Sequence, residues 1–426
     1  MNFYNSEYLL LKTGKVYKIN CIMKRLTLKF GGTSVGSLEK IQKIAGIIKK
    51  KHQEDKEIIV VVSAMSGVTN DLTKKANLIS KNYDPKEQDV LLSAGEQISS
   101  SLLSAALIEL GVKARSWMGW QIPILTDKTH TSSRVLKIKT DEVLNFISNG
   151  GVAVIAGFQG VSIENRITTL GRGGSDLSAV VIAKFFETDS CEIYTDVEGV
   201  FTTDPSIHAK AKKIEKISYE EMLEMSSLGA KIMQPVAVQA SMINEIPVNV
   251  SSTFSDDEGT KITSESEINY KSEVTGIAYS KNDAKVTLVG VVDKPGVAAD
   301  IFEPLGKNNI NIDMVIQNIS SEGKKTDITF TIKRTDLSKA IKIVEDSSKH
   351  LNYQKIIHDN KVAKVSIIGA GMIANPGVTY RMFRSLADKK INILAISTSE
   401  IKISVLVNED RTQEAIKALH KTFGLD

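Results

Sequence analysis

The 426-residue sequence predicts an α/β protein: a mostly parallel central sheet covered by helices on both faces, followed by a duplicated smaller module. Three observations predict it. Between Leu26 and Ser251, apolar strand runs alternate with amphipathic helical stretches, the pattern of a sandwiched parallel sheet. Beyond Ser272 a segment repeats. Val286-Thr-Leu-Val-Gly290 corresponds to Val365-Ser-Ile-Ile-Gly369, and Pro295-Gly-Val297 to Pro376-Gly-Val378. Phe302, Leu305, Ile310, Asn311 and Ile312 then match Phe383, Leu386, Ile391, Asn392 and Ile393. The third observation is length, which suits two or three domains.

The elements follow in order. Leu26-Thr-Leu28 opens the first buried strand. Ser37 reads as a helix N-cap, with Leu38, Ile41, Ile44, Ala45 and Ile48 on one helical face. Residues 58–62 are a continuous apolar run, hence a buried parallel strand. A long helix is expected over 87–110, a strand over 152–156, a helix opened by Ser175 and a strand over 192–195. Ser218-Tyr-Glu-Glu221 is a capping box, and 246–251 returns to strand. Residues 255–272 are rich in Ser, Asp, Glu and Lys and read as a linker. Each repeat copy reads strand, Pro-Gly turn, amphipathic helix, Asn-Ile strand, further strand. Residues 1–22 look unlike the rest; they are expected to be a disordered extension or an overhang before a start at Met23. The expected boundaries are a first, larger domain over 23–262, a linker and shared strand over 263–284, and modules over 285–350 and 361–426.

Composition excludes several classes. Net charge is +4, with basic and acidic residues interspersed. Lys49-Lys50-Lys51 and Lys212-Lys213 therefore read as solvated faces, not a nucleic-acid surface. No apolar stretch is expected to span a membrane. Cys21 and Cys191 lie far apart, and the 6 His are scattered, so no metal-ligand spacing is seen and reduced cytoplasmic thiols are expected. Gly369-Ala-Gly-Met-Ile-Ala374 fits a dinucleotide fingerprint, but too little chain follows it for a doubly wound domain, and the matching turn of the first copy lacks it. A structural turn is expected there. A P-loop and the protein-kinase signatures are absent.

The chemistry lies in three clusters, each following a buried strand: Lys29-Phe-Gly-Gly-Thr-Ser-Val-Gly-Ser37, Gly171-Arg-Gly-Gly-Ser-Asp176, and Tyr194-Thr-Asp-Val-Glu-Gly-Val-Phe-Thr-Thr-Asp-Pro205. Gly-rich turns that open helices aim N–H groups at one point, and the helix dipole adds positive character there. Ligands of such sheets sit at the carboxyl ends of strands. Lys29 projects from an apolar strand, where a lysine without an anion is unusual. Arg172 offers a planar fork for a carboxylate. Glu96 follows Ser93, Ala94 and Gly95 in a helix, and a buried glutamate requires a cation. Asp196 and Asp204 are also ordinary turn residues, Asp204-Pro205 being a turn signal.

These segments resemble the aspartate kinase family of the amino acid kinase fold, whose members carry K-[FY]-G-G-[TS]-S, T-T-L-G-R-G-G-S-D and Y-T-D-V-x-G-[VI]-x-T-x-D-P. Thr168 to Asp176 matches without a gap, and Leu92-Ser-Ala-Gly-Glu-Gln97 agrees too. The resemblance covers nearly everything from Met23 onward. It implies transfer of phosphate from ATP, with Mg²⁺, to L-aspartate, the first step toward lysine, threonine and methionine, without a tightly bound organic cofactor. The implied catalytic residues are Lys29, Arg172 and Asp196. Implied nucleotide contacts are Lys29, Phe30, Gly31, Gly32, Ser34, Thr195, Asp196, Phe201, Asp204 and Lys231. Implied substrate contacts are Ser63, Thr69, Glu96, Thr169, Arg172, Gly173, Gly174 and Ser175.

The repeat looks like paired ACT domains, ferredoxin-like modules that bind amino acids. Implied effector contacts are Asp293, Ala298, Asn311, Ile312, Asp313 and Gln317, with lysine, threonine or both as inhibitors. A homo-oligomer through the ACT modules is implied, and a shorter regulatory subunit of the same sequence is left open. The strand near 274–279 often joins the second module in this family. Two positions depart from the family pattern: Ser206 stands for an Arg after Asp-Pro, with His208 or Lys210 available to compensate, and Gln234 stands for a His. A glutamate or acetylglutamate kinase and a catalytically silent sensor are the rival readings. The Leu92–Glu96 segment with the paired modules opposes the first; the presence of Lys29 and Arg172 opposes the second.

Overall fold

The computed structural model describes residues 7–12, 15–20, 24–54, 56–229, 232–255, 257–270, 272–319, 325–347 and 351–426, the first two segments as backbone. They divide into two units. One holds the chain to Val200 with Glu215–Leu223 and Lys231–Ile268; the other holds Phe201–Ile214, Glu224–Ala230 and Asn269–Asp426.

The first unit is built on an eight-stranded sheet. Its order is Lys216–Ser218, Thr260–Thr263, Val248–Ser252, Ser190–Thr195, Lys24–Phe30, Lys56–Val62, Val152–Ala156, Ala114–Trp117. All neighbours run parallel except Val248–Ser252 against Thr260–Thr263. Side chains alternate across the pleat. Leu26, Leu28 and Phe30 pack with Ile41, Ile44 and Leu103 from helices Leu38–His52 and Pro85–Glu109 on one face. Lys29 points to the opposite face and meets helix Gly174–Phe185. A smaller four-stranded sheet, in the order Ile167–Thr169, Gln159–Ser162, Ile124–Thr126, Val135–Ile138, was not legible in the sequence.

The second unit carries a six-stranded antiparallel sheet, in the order Ile312–Ile319, Lys325–Lys333, Gly276–Val292, Lys355–Ile368, Lys402–Asn408, Ala395–Thr398. The two central strands are long enough to serve both repeat copies. Gly276 to Ser280 pairs with Ile368 to Lys364, while Lys285 to Val289 pairs with Asp359 to Lys355. Val274 and Ile277 thus lie in the second copy's core with Val365, Met382 and Leu419, whereas Val286 and Leu288 lie in the first copy's with Ile301 and Phe330.

Local signals explain the element ends. Ser37 caps its helix by accepting the Lys40 N–H at 3.3 Å. The capping box closes in both directions: Ser218 N–H donates to Glu221 Oε2 at 3.2 Å, and Glu221 N–H donates to Ser218 Oγ at 3.1 Å. The fingerprint-like Gly369 turn opens only a short 3₁₀ turn, Ala370–Met372, and the next helix begins at Val378.

Five expectations need correction. Ser175 does not cap its helix; Gly173, in the left-handed conformation, precedes a helix starting at Gly174, which frees the turn to bend sharply after Arg172. The expected linker over 255–272 contains Thr260–Thr263, which pairs on both sides within the main sheet; four residues are too few for their alternation to stand out among polar neighbours. Within 1–22, expected to be disordered or an overhang, Glu7–Lys12 and Lys15–Asn20 pair as antiparallel strands. Pro85–Glu109 is long and apolar enough to cross a membrane by length and composition, yet half of its apolar window is buried in the fold, as befits a core helix.

The last correction concerns metal ligands. The fold gathers His208, His420 and Asp426, with ligand atoms within 4.8 Å of one another, from positions remote in sequence. Asp426 Oδ1 lies 2.8 Å from His208 Nε2 and 2.7 Å from His420 Nδ1, and Lys210 Nζ reaches Oδ2 at 3.3 Å. Lys212 also bonds to Asp426. With two ammonium groups on the same residue, the cluster reads as an ion-paired clamp. The His208 imidazole is the first cause of a strongly lowered Asp426 carboxyl pKa, followed by His420.

Candidate active site

Strands Lys24–Phe30, Lys56–Val62 and Val152–Ala156 end side by side, and the first unit opens there into a cavity of about 600 Å³. Lys29, Ser63, Thr69, Glu96, Thr169, Arg172, Gly173, Gly174 and Ser175, scattered in sequence, all line it. So do Ala64, Thr131, Phe158 and Asp176.

Lys29 is nearly buried, and its Nζ lies 2.5 Å from Asp176 Oδ1. Asp176 sits in the first turn of helix Gly174–Phe185, where the dipole favours an anion. The pair fixes the ammonium at the strand end. Asp176 belongs to a cluster read from the sequence, but its pairing with Lys29 was missed. The available signal was the coincidence of one buried cation and one acid at adjoining strand and helix ends.

Glu96 comes from helix Pro85–Glu109 and is 3% exposed. Its Oε1 accepts the Ala64 N–H at 3.0 Å, while Oε2 is buried without a hydrogen-bond partner among the described residues. Burial outweighs that bond and pushes the carboxyl up to about 7. Gly95 makes the approach possible: a Cβ there would stand 2.6 Å from the Ala64 Cβ. Ser99 Oγ also donates to the Ser63 carbonyl at 2.7 Å, clasping helix to strand end.

Arg172 is exposed, and among the described residues no protein group bonds its guanidinium. It stands between Gly171 and Gly173, both with φ near +75° (+76° and +75°). A Cβ on Gly173 would lie 2.3 Å from the Gln234 Cγ, so Gln234, one of the two departures from the family pattern, packs on the arginine turn.

Behind the wall lies a carboxylate the sequence reading passed over. Asp89 is fully buried. It accepts from Thr169 Oγ1 at 2.5 Å, from the Thr131 N–H at 3.1 Å to each oxygen, and meets His130 Nδ1 at 2.6 Å. Asp89, Ser93 and Glu96 follow i, i+4, i+7 spacing on one helix face, which is the signal that would have found it.

The residues implied for the nucleotide are placed differently. Gly31 N–H donates to the Tyr194 carbonyl at 3.1 Å, which brings the first and third clusters together at the carboxyl ends of two adjacent central strands. The third cluster does not line the cavity. The Phe30 ring is fully buried and stacked on Tyr194 at 4.8 Å, so only its backbone borders the turn. Gly32 passes over the strand end, its carbonyl accepting the Ser66 N–H at 3.1 Å. The Ser34 hydroxyl is no free donor: it is buried and shares a 2.6 Å bond with Thr253 Oγ1, because the turn curls inward. Thr195 is half-buried and donates to Asp196, which is exposed.

Phe201 and Asp204 belong to the second unit. Asp204 organises its own turn, accepting from Ser206 N–H at 2.9 Å and Ser206 Oγ at 2.7 Å, and from the Tyr279 hydroxyl at 3.3 Å. His208 and Lys210, the residues available to compensate for the missing arginine, both bind Asp426. Lys231 lies outside the described residues.

Of the implied effector contacts, Asp293 is exposed and precedes helix Val297–Lys307, whose first turn holds the half-buried Ala298; Asn311 is exposed. Ile312 and Gln317 lie on edge strand Ile312–Ile319. The carboxylate of Asp313, another of the implied effector contacts, is paired with Lys364.

The model of the amino acid kinase family matches residues 24–252, and that of the ACT domain matches 286–347 and 365–423. An aspartate kinase of Stutzerimonas stutzeri is 45% identical over 405 residues, covering 95% of this chain and 98% of that protein. Aspartokinase 2 of Bacillus subtilis is 42% identical over 403 residues, covering 95% and 98%. Among solved structures, the aspartate kinase from Synechocystis is 40% identical, with a TM-score of 0.53 over 94% of this chain and 69% of that one. E. coli aspartokinase III in complex with aspartate and ADP shares the fold, with a TM-score of 0.77 at 23% identity over 94% of this chain and 100% of that one.

Proposed function

The chain belongs to the aspartate kinases of the amino acid kinase family, and from that premise we propose that it transfers the γ-phosphoryl group of ATP to the side-chain carboxylate of L-aspartate, giving ADP and 4-phospho-L-aspartate. The observation that carries this reading is the set of groups lining one cavity: a half-satisfied buried glutamate, an exposed arginine that no protein group bonds among the described residues, and a lysine held at a strand end. An α-amino acid offers an ammonium for Glu96 and an α-carboxylate for Arg172, which leaves its side chain directed to Lys29.

The acceptor carboxylate, with a reference pKa of about 3.9, is ionised at neutral pH and needs no general base. The obstacle is repulsion between two anions. Catalysis therefore rests on positioning and on positive charge over the transferring phosphoryl oxygens. Lys29, oriented by Asp176, supplies that charge, and the N–H group of Ser175 at the helix start adds a donor. The nucleotide is taken as its Mg²⁺ complex, so the metal enters with the substrate. Lysine, threonine or both are proposed as feedback inhibitors acting on the ACT pair, in an enzyme that opens the route to lysine, threonine and methionine. Subunit pairing through those modules is proposed with them.

A hydroxamate-trapping assay tests the reaction. ATP-dependent hydroxamate should form with L-aspartate and not with L-glutamate or N-acetyl-L-glutamate. Product with either of the latter, and none with aspartate, would reassign the substrate.

A further inference from the structure

Asp89 and His130 do not line the cavity, yet both touch the segment that does. The loop from Asp127 to Arg134 is closed at its base by the Asp127 N–H donating to the Arg134 carbonyl at 3.0 Å, and by Asp127 Oδ1 accepting the N–H groups of Thr129 and Arg134 at 3.1 and 3.2 Å. Its tip, Thr131, faces the cavity and has φ +65°. A β-branched residue pays steric strain in that left-handed region and stays there only when its surroundings enforce it. The Asp89 carboxylate is the enforcing group, since it takes the Thr131 N–H on both oxygens.

The same carboxylate takes the Thr169 hydroxyl, and the Thr169 carbonyl accepts the Ser133 N–H at 2.9 Å. The Thr131 carbonyl in turn lies where a Cβ on Gly171 would come within 3.0 Å. One buried acid thus holds the loop tip, the end of strand Ile167–Thr169 and the start of the arginine turn in register.

We propose that Asp89 is a positioning residue for the aspartate subsite: it locks Thr131 and Thr169 into the cavity wall beside Arg172, and the affinity for aspartate depends on that lock. The proposal rests on the aspartate kinase reading. Asp89→Asn keeps the shape but replaces one acceptor oxygen by a donor. In the full-length enzyme it should raise KM for aspartate tenfold or more, with kcat within threefold and KM for ATP within twofold of wild type. Hydrogen exchange of the ligand-free enzyme should show the Thr131 amide losing protection. His130→Gln, which leaves the cavity lining intact, should move KM for aspartate in the same direction by about threefold, and it carries the test if Asp89→Asn does not fold.

A second substitution separates positioning from bulk stability. Glycine accepts a left-handed φ without the penalty. Adding Thr131→Gly to Asp89→Asn should therefore recover part of the lost aspartate affinity. An unchanged KM for aspartate in folded Asp89→Asn or His130→Gln, or an equal loss in kcat and in KM for ATP, would overturn the lock while leaving the kinase reading standing. A wild-type enzyme that phosphorylates no aspartate would remove both.

Discussion

Glu96 and Asp89 share one face of one helix and nearly complete burial, yet they are opposite in hydrogen bonding. Asp89 is saturated by the Thr131 amide, the Thr169 hydroxyl and His130. Glu96 has one backbone N–H and an orphaned oxygen. Burial without compensation is costly for a carboxylate, and the protein bears that cost at Glu96 while avoiding it at Asp89. The difference teaches which acid awaits a ligand. A saturated buried acid holds the protein to itself; an unsaturated one facing a cavity is completed by something from outside.

Asp176 tests the rule at its extreme, because its partner Lys29 is also assigned to the chemistry. Lys29→Ala should lower kcat by at least about 10²–10³-fold, the cost of losing one donor to a developing charge. It should also destabilise by about 3–5 kcal/mol, because Asp176 is left buried and unpaired. The double variant Lys29→Met with Asp176→Asn should regain stability without regaining kcat. Recovery of both in chemical denaturation and steady-state assays would make the pair structural alone.

Glu96→Gln should then act in opposite directions on binding and folding. Aspartate loses a charge-assisted anchor, so KM should rise by about 2–4 kcal/mol, roughly 30- to 1000-fold. Stability at pH 8 should rise, since an uncompensated buried charge is removed. Asp89→Asn should lower it at the same pH. If both variants lose stability alike, the contrast between the two acids fails.

How much of this was legible can be read from the same residues. Lys29, Glu96 and Arg172 stood out because charged residues among glycines and apolar runs carry few structural explanations, and all three line one cavity. The sheet was legible wherever a strand is buried on both faces, as in residues 58–62. Thr260–Thr263 was not, since an edge-side strand of four residues carries too little pattern. Asp89 was passed over because its partners, His130 to Thr131 and Thr169, come together only through tertiary structure. The Asp426 clamp escaped for the same reason: His208 and His420 are remote in sequence.

The pH dependence sharpens the contrast further. The Glu96 carboxyl is raised to about 7 in the folded protein, above its unfolded value of about 4.3. Between these values the folded state binds more protons than the unfolded state. Its contribution to stability is therefore lost as pH rises through that window, by on the order of 3 kcal/mol in all. Unfolding curves of wild type and Glu96→Gln should nearly coincide in the acid part of the range, diverge up to pH 7 and then run parallel. Saturating aspartate should close the gap by pairing the charge. KM for aspartate should fall by up to about tenfold from pH 6 to pH 8, and binding should release protons, seen calorimetrically as a buffer-dependent heat. A KM that rises with pH over that range would place the ammonium elsewhere.

The smallest effect is expected where the same rule is carried to the repeat. Asp313 is paired with Lys364, like Asp89 an acid already answered by the protein. Asp293 is exposed beside the Gly296 turn, and among the described residues no ion pair or hydrogen bond reaches its carboxylate. The helix that follows presents free N–H groups suited to an amino-acid carboxylate, and Asp293 can then meet the ammonium. The second copy has the same left-handed glycine, Gly377, but no acid at the matching place before Pro376. An effector of this kind is therefore expected to prefer the first copy. Asp293→Ala should leave uninhibited kcat within about twofold and raise the half-inhibitory concentration of lysine or threonine by about 5- to 150-fold, the usual span of a coupling energy of 1–3 kcal/mol. Asp313→Ala should do less, because it removes a group that the effector would first have to win from Lys364. If Asp313→Ala relieved inhibition and Asp293→Ala did not, the rule that unsatisfied acids mark ligand sites would hold in the cavity but fail in the repeat.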